Sequence, residues 1–269
     1  MKPLIIGATG YIGSHIGEAF VQAGHQAAAL QRPGGRPVPD AYRPVPGDLL
    51  DPPTLTRAAS SFDLVIHAGP PLGDADLYGV DALIAAGVPV LYTTGAAVLG
   101  GGPADEDSPP DPHPIAALRP EIERRVVAAG GWVIRPGMVY GNGGGLVHDL
   151  FTRKAAECGT GVYIGPAGVR WPVVHVDDLA ALYVAVAERA PRGTIWHGIA
   201  ETVRLDAIAA AVGGGTAISW PLRQAEAELG LLADLFTRDQ DVSAAKTRQR
   251  LKWDPVHTSM VAALRSGPS

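Results

Sequence analysis

Three glycines at three-residue spacing interrupt the apolar run near the start of the chain. Gly7 ends a strand-like stretch that starts at Leu4, while Gly10 and Gly13 lead into a helical pattern. Glycine here would permit a tight turn, a close approach of the backbone to a phosphate, and packing of the helix on the sheet. The helix N-terminus would then face the anion with free N–H groups. The pattern predicts a dinucleotide-binding loop, with contacts from Gly7, Thr9, Gly10, Tyr11 and Ile12.

The segment about twenty residues further on distinguishes between cofactors in folds of this kind. It reads Ala27-Ala28-Ala29-Leu30-Gln31-Arg32 and lacks the carboxylate that would bind the ribose hydroxyls of NAD. Arg32, with Arg36 nearby, could instead pair with the adenosine 2′-phosphate of NADP. The alternative is that Arg32 is a solvated charge on a loop. We predict NADP(H) as the cofactor.

Asp48, which follows a short strand-like segment, has two alternative roles. Its carboxylate suits a hydrogen bond from an adenine amino group, with Leu49 beside it. It could equally cap a helix that begins around Pro52 and Pro53. We count Asp48 and Leu49 among the predicted cofactor contacts.

Composition favours a small-molecule partner. The chain has 269 residues, 46% hydrophobic content and a net charge of -5, enough apolar material for one large domain. Without a basic run, we expect no nucleic acid and no membrane partner. The single cysteine, Cys158, excludes an intramolecular disulfide and a cysteine-based metal cluster. Met1-Lys2-Pro3 leads directly into a strand without room for a signal peptide, so we expect a cytoplasmic protein.

Strand-like and helix-like segments alternate along the chain. This alternation is typical of right-handed βαβ units and predicts an α/β fold, a Rossmann-type doubly wound parallel sheet. The segment Gly100–Pro114 is rich in Gly, Pro and Asp, which indicates a mobile loop that acts as a lid or only a long surface connection. The main predicted elements are strands at 26–30, 63–67, 88–93 and 132–135 and helices at 11–23 and 115–129.

Beyond Gly141 the pattern of elements loosens. We expect residues 1–141 to form mainly the dinucleotide-binding part and residues 142–269 mainly a small C-terminal substrate-binding lobe. The later segments are too fragmentary to hold a core alone, so the prediction is a single domain over residues 1–269.

Several motifs occur in the order and spacing of one known superfamily. His67-Ala68-Gly69 follows the predicted fourth strand, Thr93-Thr94-Gly95 follows the fifth, and Arg135-Pro136-Gly137-Met138-Val139-Tyr140-Gly141 follows the sixth. The chain resembles the extended short-chain dehydrogenase/reductase superfamily, which includes nucleotide-sugar epimerases and dehydratases. The resemblance implies a nicotinamide between the ends of strands four and five, covered by the loop Pro136–Val139. The implied further cofactor contacts are Ala68, Gly69, Thr93, Arg119, Pro136, Met138 and Val139.

The catalytic motif of that superfamily is altered. It normally has a Ser or Thr after strand five and a Tyr-x-x-x-Lys on the next helix, where tyrosine is the acid/base. Here Ile115 occupies the tyrosine position and cannot donate a proton, while Arg119 keeps the charge and the ribose contact. Thr94 is the candidate hydroxyl, although an alignment shifted by one would place Gly95 there. Such chains resemble the atypical branch of the superfamily.

Further candidates each have a structural alternative. Tyr140 could donate a proton, or its hydroxyl could bind a backbone group. His148 could face the substrate or be solvated. Arg170 could bind an anionic substrate group and Trp171 could supply an aromatic wall, or they could form a surface ion pair and part of the core.

A metal site is not expected. His175, Asp177 and Asp178 lie together at a predicted helix start, but one imidazole and two acids more often serve there as an anchor and an N-cap. We therefore predict no metal.

We predict an NADP(H)-dependent reductase that acts on a carbonyl, enone or imine-like small molecule, such as an intermediate of secondary metabolism. The predicted catalytic residues are Thr94, Arg119 and Tyr140, and the predicted substrate contacts are Thr94, His148, Arg170 and Trp171. The alternatives are a non-redox isomerase, epimerase or cyclase and an NADP-sensing regulatory protein. The resemblance also implies a homodimer through the helix 115–129, unless its apolar residues Ile122, Val126 and Val127 face the sheet instead.

Overall fold

The computed structural model describes residues 1–70 and 72–266 and divides the chain into two units. Unit one contains Met1–Thr94, Leu118–Arg135 and Ala180–Trp196. Unit two contains Gly95–Ala117, Pro136–Leu179 and the described residues from His197 onward. The units therefore interleave along the chain, and the division into a mainly dinucleotide-binding and a mainly substrate-binding part at residue 141 stays a prediction. No helix of the described chain is long and apolar enough to cross a membrane.

Strands and helices alternate through unit one and become shorter in unit two. The strands are β1 Pro3–Ile6, β2 Ala28–Gln31, β3 Arg43–Pro46, β4 Leu64–His67, β5 Val90–Thr93, β6 Gly102–Ala104, β7 Trp132–Pro136, β8 Met138–Tyr140, β9 Gly161–Ile164, β10 Arg170–His175, β11 Thr194–Gly198, β12 Glu201–Arg204, β13 Ala217–Trp220 and β14 Gln240–Val242. The helices are α1 Tyr11–Gln22, α2 Pro52–Ala59, α3 Asp74–Ala85, α4 Arg119–Ala128, α5 Arg153–Cys158, α6 Val176–Arg189, α7 Leu205–Val212, α8 Leu222–Leu229, α9 Leu231–Leu235, α10 Ala245–Leu251 and α11 Met260–Arg265.

A seven-stranded sheet with the order β11-β7-β5-β4-β1-β2-β3 confirms the predicted Rossmann-type fold. The pairs from β7 to β3 are all parallel. Strands β1, β4 and β5 are buried along their whole length, which explains their uninterrupted apolar sequences. The strand order reverses between β1 and β4, and ligands of open α/β sheets bind at the carboxyl ends of the strands at such a point.

Helix α4 is shorter than the predicted helix 115–129. Residues Pro114–Ala116 form only a 3-10 turn, and α4 begins at Arg119 with Pro120 in its first turn. Proline fits a first helical turn because its missing N–H has no partner there, whereas within a longer helix it would clash with the preceding turn. Ile115 is therefore outside α4, and its side chain is 46% exposed.

The apolar residues of α4 face the core of unit one. Ile122 and Val126 are buried in the core of unit one, and Val127 packs against that core. The alternative that these side chains face inward is confirmed, and a homodimer through this helix stays a prediction.

The segment 100–114 is anchored within unit two. Strand β6 pairs in parallel with β14, and the buried Glu106 carboxylate accepts hydrogen bonds from the backbone N–H and the hydroxyl of Thr247. The buried His113 Nε2 lies 2.9 Å from an Asp234 carboxylate oxygen. These contacts contradict the expectation of a mobile lid. They depend on partners more than a hundred residues away, which local composition does not reveal.

Unit two contains three small sheets. Strand β10 lies between β12 and β8, and the other two sheets pair β13 with β9 and β14 with β6. Tyr140, Trp171, Phe236 and Met260 belong to its buried core.

Candidate functional site

The loop after β1 accepts only glycine at two of its positions. Gly7 has φ +86°, and a Cβ there would lie 2.6 Å from the Ala68 carbonyl oxygen. A Cβ on Gly13 would lie 2.1 Å from the Gly7 carbonyl oxygen. The β1 loop, the β4 loop and the first turn of α1 are thus in direct contact, as the spacing of the glycines predicts.

The N-terminus of α1 has the form expected of a phosphate-binding site. Helix α1 begins at Tyr11, and its N-cap residue, Gly10, provides no side-chain hydrogen bond. The first backbone N–H groups of a helix attract an anion, and the helix dipole strengthens the attraction. Thr9 and Gly10 are exposed at this point. A dinucleotide pyrophosphate therefore fits the cradle that a Cβ would fill.

Arg32 lies at the carboxyl end of β2 with an exposed side chain. Gly35 donates a backbone hydrogen bond to the Arg32 carbonyl, so the chain turns directly after β2. Within residues 1–70 and 72–266, no ion pair is formed by the Arg32 or Arg36 guanidinium. Arg32 thus remains available to a phosphate.

Asp48 does not cap helix α2. Its carboxylate accepts a hydrogen bond from the backbone N–H of Leu50, and the N-cap is Asp51, which accepts from Thr54. The capping alternative is therefore wrong for Asp48, because the N-cap of α2 lies three residues further along the chain. Leu49 is buried and packs against Gly79. A contact of Asp48 or Leu49 with adenine stays a prediction.

Arg119 is held by a buried network at the end of β5. Its Nη1 donates hydrogen bonds to the Tyr92 hydroxyl at 2.7 Å and to the Thr93 carbonyl at 2.9 Å. The Tyr92 hydroxyl donates in turn to Asp76 at 2.6 Å. His67 Nε2 lies 3.1 Å from the other Asp76 oxygen. The guanidinium is thus fixed at the carboxyl edge of the sheet.

The charge of Asp76 is stabilised inside this network. Burial would by itself raise the pKa of the Asp76 carboxyl, but the contacts from His67, Tyr92 and Arg119 outweigh it and hold that pKa below its usual value. Burial likewise raises the pKa of the Tyr92 phenol, which therefore stays protonated and donates to the carboxylate. Sequence reasoning missed Asp76, because an acidic residue in the first turn of a helix is common for reasons of the helix dipole alone.

Thr94 lies beside a second buried carboxylate. Its hydroxyl donates to Glu123 Oε1 at 2.6 Å. Glu123 also pairs with Arg135, whose Nε lies 3.0 Å from the same oxygen, and both charged side chains are 2% exposed. The neighbouring Thr93 hydroxyl pairs with the buried Tyr183 hydroxyl at 2.7 Å. The Thr94 hydroxyl therefore donates its hydrogen to Glu123 and has none left to donate to a ligand.

In the part of the chain that the structure describes, the Tyr140 hydroxyl does not form the backbone hydrogen bond that the structural alternative predicts. The side chain is buried in unit two, and among the described residues its hydroxyl has no hydrogen-bond partner. The expected bond to a backbone group is thus wrong. Burial first, then the charges of Glu201 and Asp178, raises the pKa of the Tyr140 phenol, which makes it a weaker acid. Pro136, Met138 and Val139, which precede Tyr140 in the sequence, are also buried. Their cofactor contacts stay predictions.

Arg170 and Trp171, two predicted substrate contacts, have the structural roles that were their alternatives: an ion pair and a place in the core. Arg170 pairs with Asp239 at 2.7 Å and with Asp241 at 3.2 Å. Trp171 is buried, stacks on Phe236 with ring centroids 4.5 Å apart, and donates from Nε1 to a backbone carbonyl. Both side chains are therefore occupied within unit two. His148 is exposed in a π-helical turn, Val147–Thr152, and its role stays a prediction.

His175, Asp177 and His257 bring potential metal ligands close together. However, the two imidazoles stack at 3.7 Å with an angle of 16° between their planes. A first-row metal would lie about 2.1 Å from each nitrogen in its ring plane, so lone pairs in stacked planes cannot converge on one ion. Asp178 accepts hydrogen bonds from the backbone N–H groups of Val256 and His257, which is the anchoring role predicted for this segment.

Comparison with known proteins identifies the family. The sequence pattern of the NAD dependent epimerase/dehydratase family matches residues 3–112. A 3-diazoavenalumate denitrifying reductase from Streptomyces sp is 30% identical over 298 residues, which cover 96% of this chain and 97% of the relative. The chain belongs to the NAD dependent epimerase/dehydratase family. This assignment confirms the resemblance to the atypical short-chain dehydrogenases and makes the protein an NAD(P)-dependent enzyme of that type.

The similarity to two further proteins covers nearly the full length of the chain. An uncharacterised protein of Schizosaccharomyces pombe is 29% identical over 299 residues and covers 99% of both chains. The solved structure of the human epimerase family protein SDR39U1 with NADPH superposes with a TM-score of 0.78 at 21% identity, covering 99% of this chain and 98% of that one. The latter likeness shows that the fold of the family extends over the described chain.

Proposed function

We propose that this family member is an NADP(H)-dependent reductase of a small-molecule carbonyl, enone or imine-like compound. One observation carries the proposal: the glycine loop after β1, the exposed Arg32 after β2 and the fixed Arg119 beside β5 all lie at the carboxyl ends of parallel strands. The similarity to a protein named as a reductase supports the same reaction class.

On this proposal, the two halves of a dinucleotide would lie on different sides of the loop. The pyrophosphate would bind at the N-terminus of α1, and Arg32 would bind the 2′-phosphate on the β2 side. The other half would then lie over β4 and β5, where Thr93 and Arg119 are found. When bound there, the reduced cofactor would supply a hydride.

The polarity of Thr94 bears on the substrate. Because its hydroxyl donates to Glu123, it offers only lone pairs to a ligand. Thr94 would therefore accept a hydrogen bond from a substrate O–H or N–H group and orient it, and it would not be the proton donor while Glu123 is ionised. This polarity favours substrates that carry a hydroxyl, amine or protonated imine next to the reacting carbon.

One observation favours a second candidate, a non-redox isomerase, epimerase or cyclase on the same fold. By the resemblance, Ile115 would stand at the position of the usual acid/base tyrosine, and it lies outside α4 with an exposed side chain. An isoleucine cannot transfer a proton. Loss of the tyrosine would remove the usual route of proton transfer to a reduced carbonyl, which favours chemistry other than carbonyl reduction.

Deuterium transfer distinguishes the two candidates. NADPH deuterated at the transferring C4 position is incubated with the protein and a panel of carbonyl, enone and imine compounds, and the products are analysed by mass spectrometry. Deuterium in the product with stoichiometric NADP formation supports the reductase. Product formation without label transfer and without net NADP formation would contradict it and support the non-redox enzyme.

A further inference from the structure

One nitrogen of the Arg119 guanidinium, Nη1, donates hydrogen bonds within the protein, and the other two are open to a ligand. Both hydrogens of Nη1 are used, one by the Tyr92 hydroxyl and one by the Thr93 carbonyl. Among the residues that the structure describes, Nε and Nη2 have no acceptor, and neither atom is sealed from solvent. The side chain as a whole is only 15% exposed. Arg119 therefore presents a defined edge with three remaining N–H donors.

Tyr92 fixes the direction of that edge. Its hydroxyl accepts from Arg119 and donates to Asp76, so it joins a partly buried cation to a buried carboxylate. Asp76 lies 3.9 Å from Nη1 and is 2% exposed. The ring of Tyr92 also lies 5.5 Å from the guanidinium carbon, which restricts the guanidinium further. Without this hydroxyl, the Thr93 carbonyl would be the one hydrogen-bond acceptor left to Arg119 among the described residues.

His67 completes the support on the opposite side of Asp76. The backbone N–H of Gly69 donates to His67 Nδ1 at 3.3 Å, and His67 Nε2 lies 3.1 Å from the second Asp76 oxygen. Asp76 thus accepts a hydrogen bond from the Tyr92 hydroxyl on one oxygen and lies within ion-pair distance of His67 on the other. The series of side-chain contacts from His67 through Asp76 and Tyr92 to Arg119 links the end of β4 with the end of β5.

We propose that Tyr92 and Asp76 are positioning residues, which hold the Nε and Nη2 edge of Arg119 toward oxygen atoms of a cofactor bound over β4 and β5. This inference rests on the proposed NADP(H) site. It assigns a purpose to two buried polar residues, which otherwise bring a desolvation cost to the core of unit one. It also accounts for a rigid guanidinium at this position, since an oriented fork loses less freedom on binding than a flexible cation.

A double-mutant cycle on NADPH affinity tests the inference. Dissociation constants are measured by calorimetry for wild type, Tyr92→Phe, Arg119→Ala and the double variant. Tyr92→Phe should weaken binding about threefold to tenfold, and Arg119→Ala about tenfold to a hundredfold. In the Arg119→Ala background, Tyr92→Phe should change the constant by less than about twofold, because its effect passes through the arginine.

Tyr42→Phe is the matched control. Tyr42 is also buried in unit one, and its hydroxyl donates to the Ser14 carbonyl without contact to the network. Its removal should leave the NADPH dissociation constant within about twofold of wild type. Thermal unfolding of each variant checks that it is folded. If Tyr92→Phe does not fold, the same cycle is run with Asp76→Asn, which keeps a hydrogen-bond acceptor but removes the charge.

The outcomes separate the inference from the cofactor assignment. Equal losses from Tyr92→Phe in both backgrounds, or no loss in either, would overturn the positioning role while leaving the NADP(H) site intact. Failure of wild type to bind NADPH would overturn the proposed cofactor, and the positioning role with it. A loss confined to the background that retains Arg119 supports the inference.

Discussion

The Thr94 hydroxyl donates a 2.6 Å hydrogen bond to Glu123, a buried carboxylate that also neutralises the buried Arg135 guanidinium. This relationship joins the end of β5 to α4 and to β7 through side chains alone. It makes the candidate substrate-orienting hydroxyl an acceptor, and that polarity depends on the buried Glu123 carboxylate.

Removing the Glu123 charge should destabilise the fold strongly. Glu123→Gln leaves the Arg135 guanidinium buried without a counter-ion, and breaking a buried pair in this way costs about 3 to 5 kcal/mol of unfolding free energy. Urea unfolding measures the loss. Glu121→Gln on the same helix is the control, because Glu121 pairs with Arg124 and Arg125 at the surface and should matter much less. Equal losses for the two variants would contradict the account of this pair.

Thr94 should matter for turnover and Ile115 should not. With a compound that accepts the deuterium label, Thr94→Val should lower kcat about tenfold to a thousandfold, since it removes the oxygen that orients the substrate. Thr94→Ser retains the hydroxyl and should recover most of the rate. Ile115→Val changes one exposed methyl group and should leave turnover close to wild type. A rate for Thr94→Val equal to that of Ile115→Val would exclude Thr94 from the reaction.

The stability of the protein should depend on the ionisation of Asp76 at acid pH. The pKa of its carboxyl is lowered in the folded state. Such a group stabilises the fold above its unfolded pKa of about 3.9, and this contribution is lost as the pH falls through the lower, folded pKa. We expect the free energy of unfolding of wild type to fall more steeply between about pH 5 and pH 2 than that of Asp76→Asn.

An exposed acid in the same helical turn provides the comparison for this pH series. Asp74 lies in the first turn of α3 with Asp76, but its side chain is exposed. The free energy of unfolding of Asp74→Asn should therefore fall between about pH 5 and pH 2 nearly as steeply as that of wild type. If Asp76→Asn also keeps the wild-type slope, the buried carboxylate does not stabilise the fold through its charge.

Gly13→Ala should impair both the loop and cofactor binding. The added methyl group would lie 2.1 Å from the Gly7 carbonyl oxygen, so the β1 loop or α1 must shift. We expect a lower melting temperature and a loss of NADPH binding in a calorimetric titration. Ser14→Ala removes a hydroxyl that bonds only within the helix and should leave the NADPH affinity unchanged. Wild-type affinity in Gly13→Ala would show that the loop does not cradle the pyrophosphate.

The features that could be predicted from sequence depend on local backbone geometry. Gly7 and Gly13 are needed wherever a strand turns sharply into a helix that packs close to it, and the apolar runs of the buried strands are unambiguous. The start of α4 at Arg119 was also available from Pro120, whose preference for a first turn opposes a helix from residue 115.

The buried polar networks could not be predicted in the same way. Glu123 stands in a highly charged helix beside Glu121, Arg124 and Arg125, and nothing local marks it as the one carboxylate that faces inward. Likewise, Arg170 meets Asp239 from a position 69 residues away. Such pairs follow from the arrangement of whole elements, so residue type alone left their roles open.

The most direct test of the proposed cofactor site is a calorimetric titration of NADPH and NADH against wild type and Arg32→Ala. Arg32 is exposed at the end of β2 and can make a charge-assisted contact with the 2′-phosphate. We expect wild type to bind NADPH about tenfold to a hundredfold more tightly than NADH. Arg32→Ala should abolish this preference while leaving the NADH affinity unchanged. Equal affinities of wild type for the two cofactors would contradict the assignment.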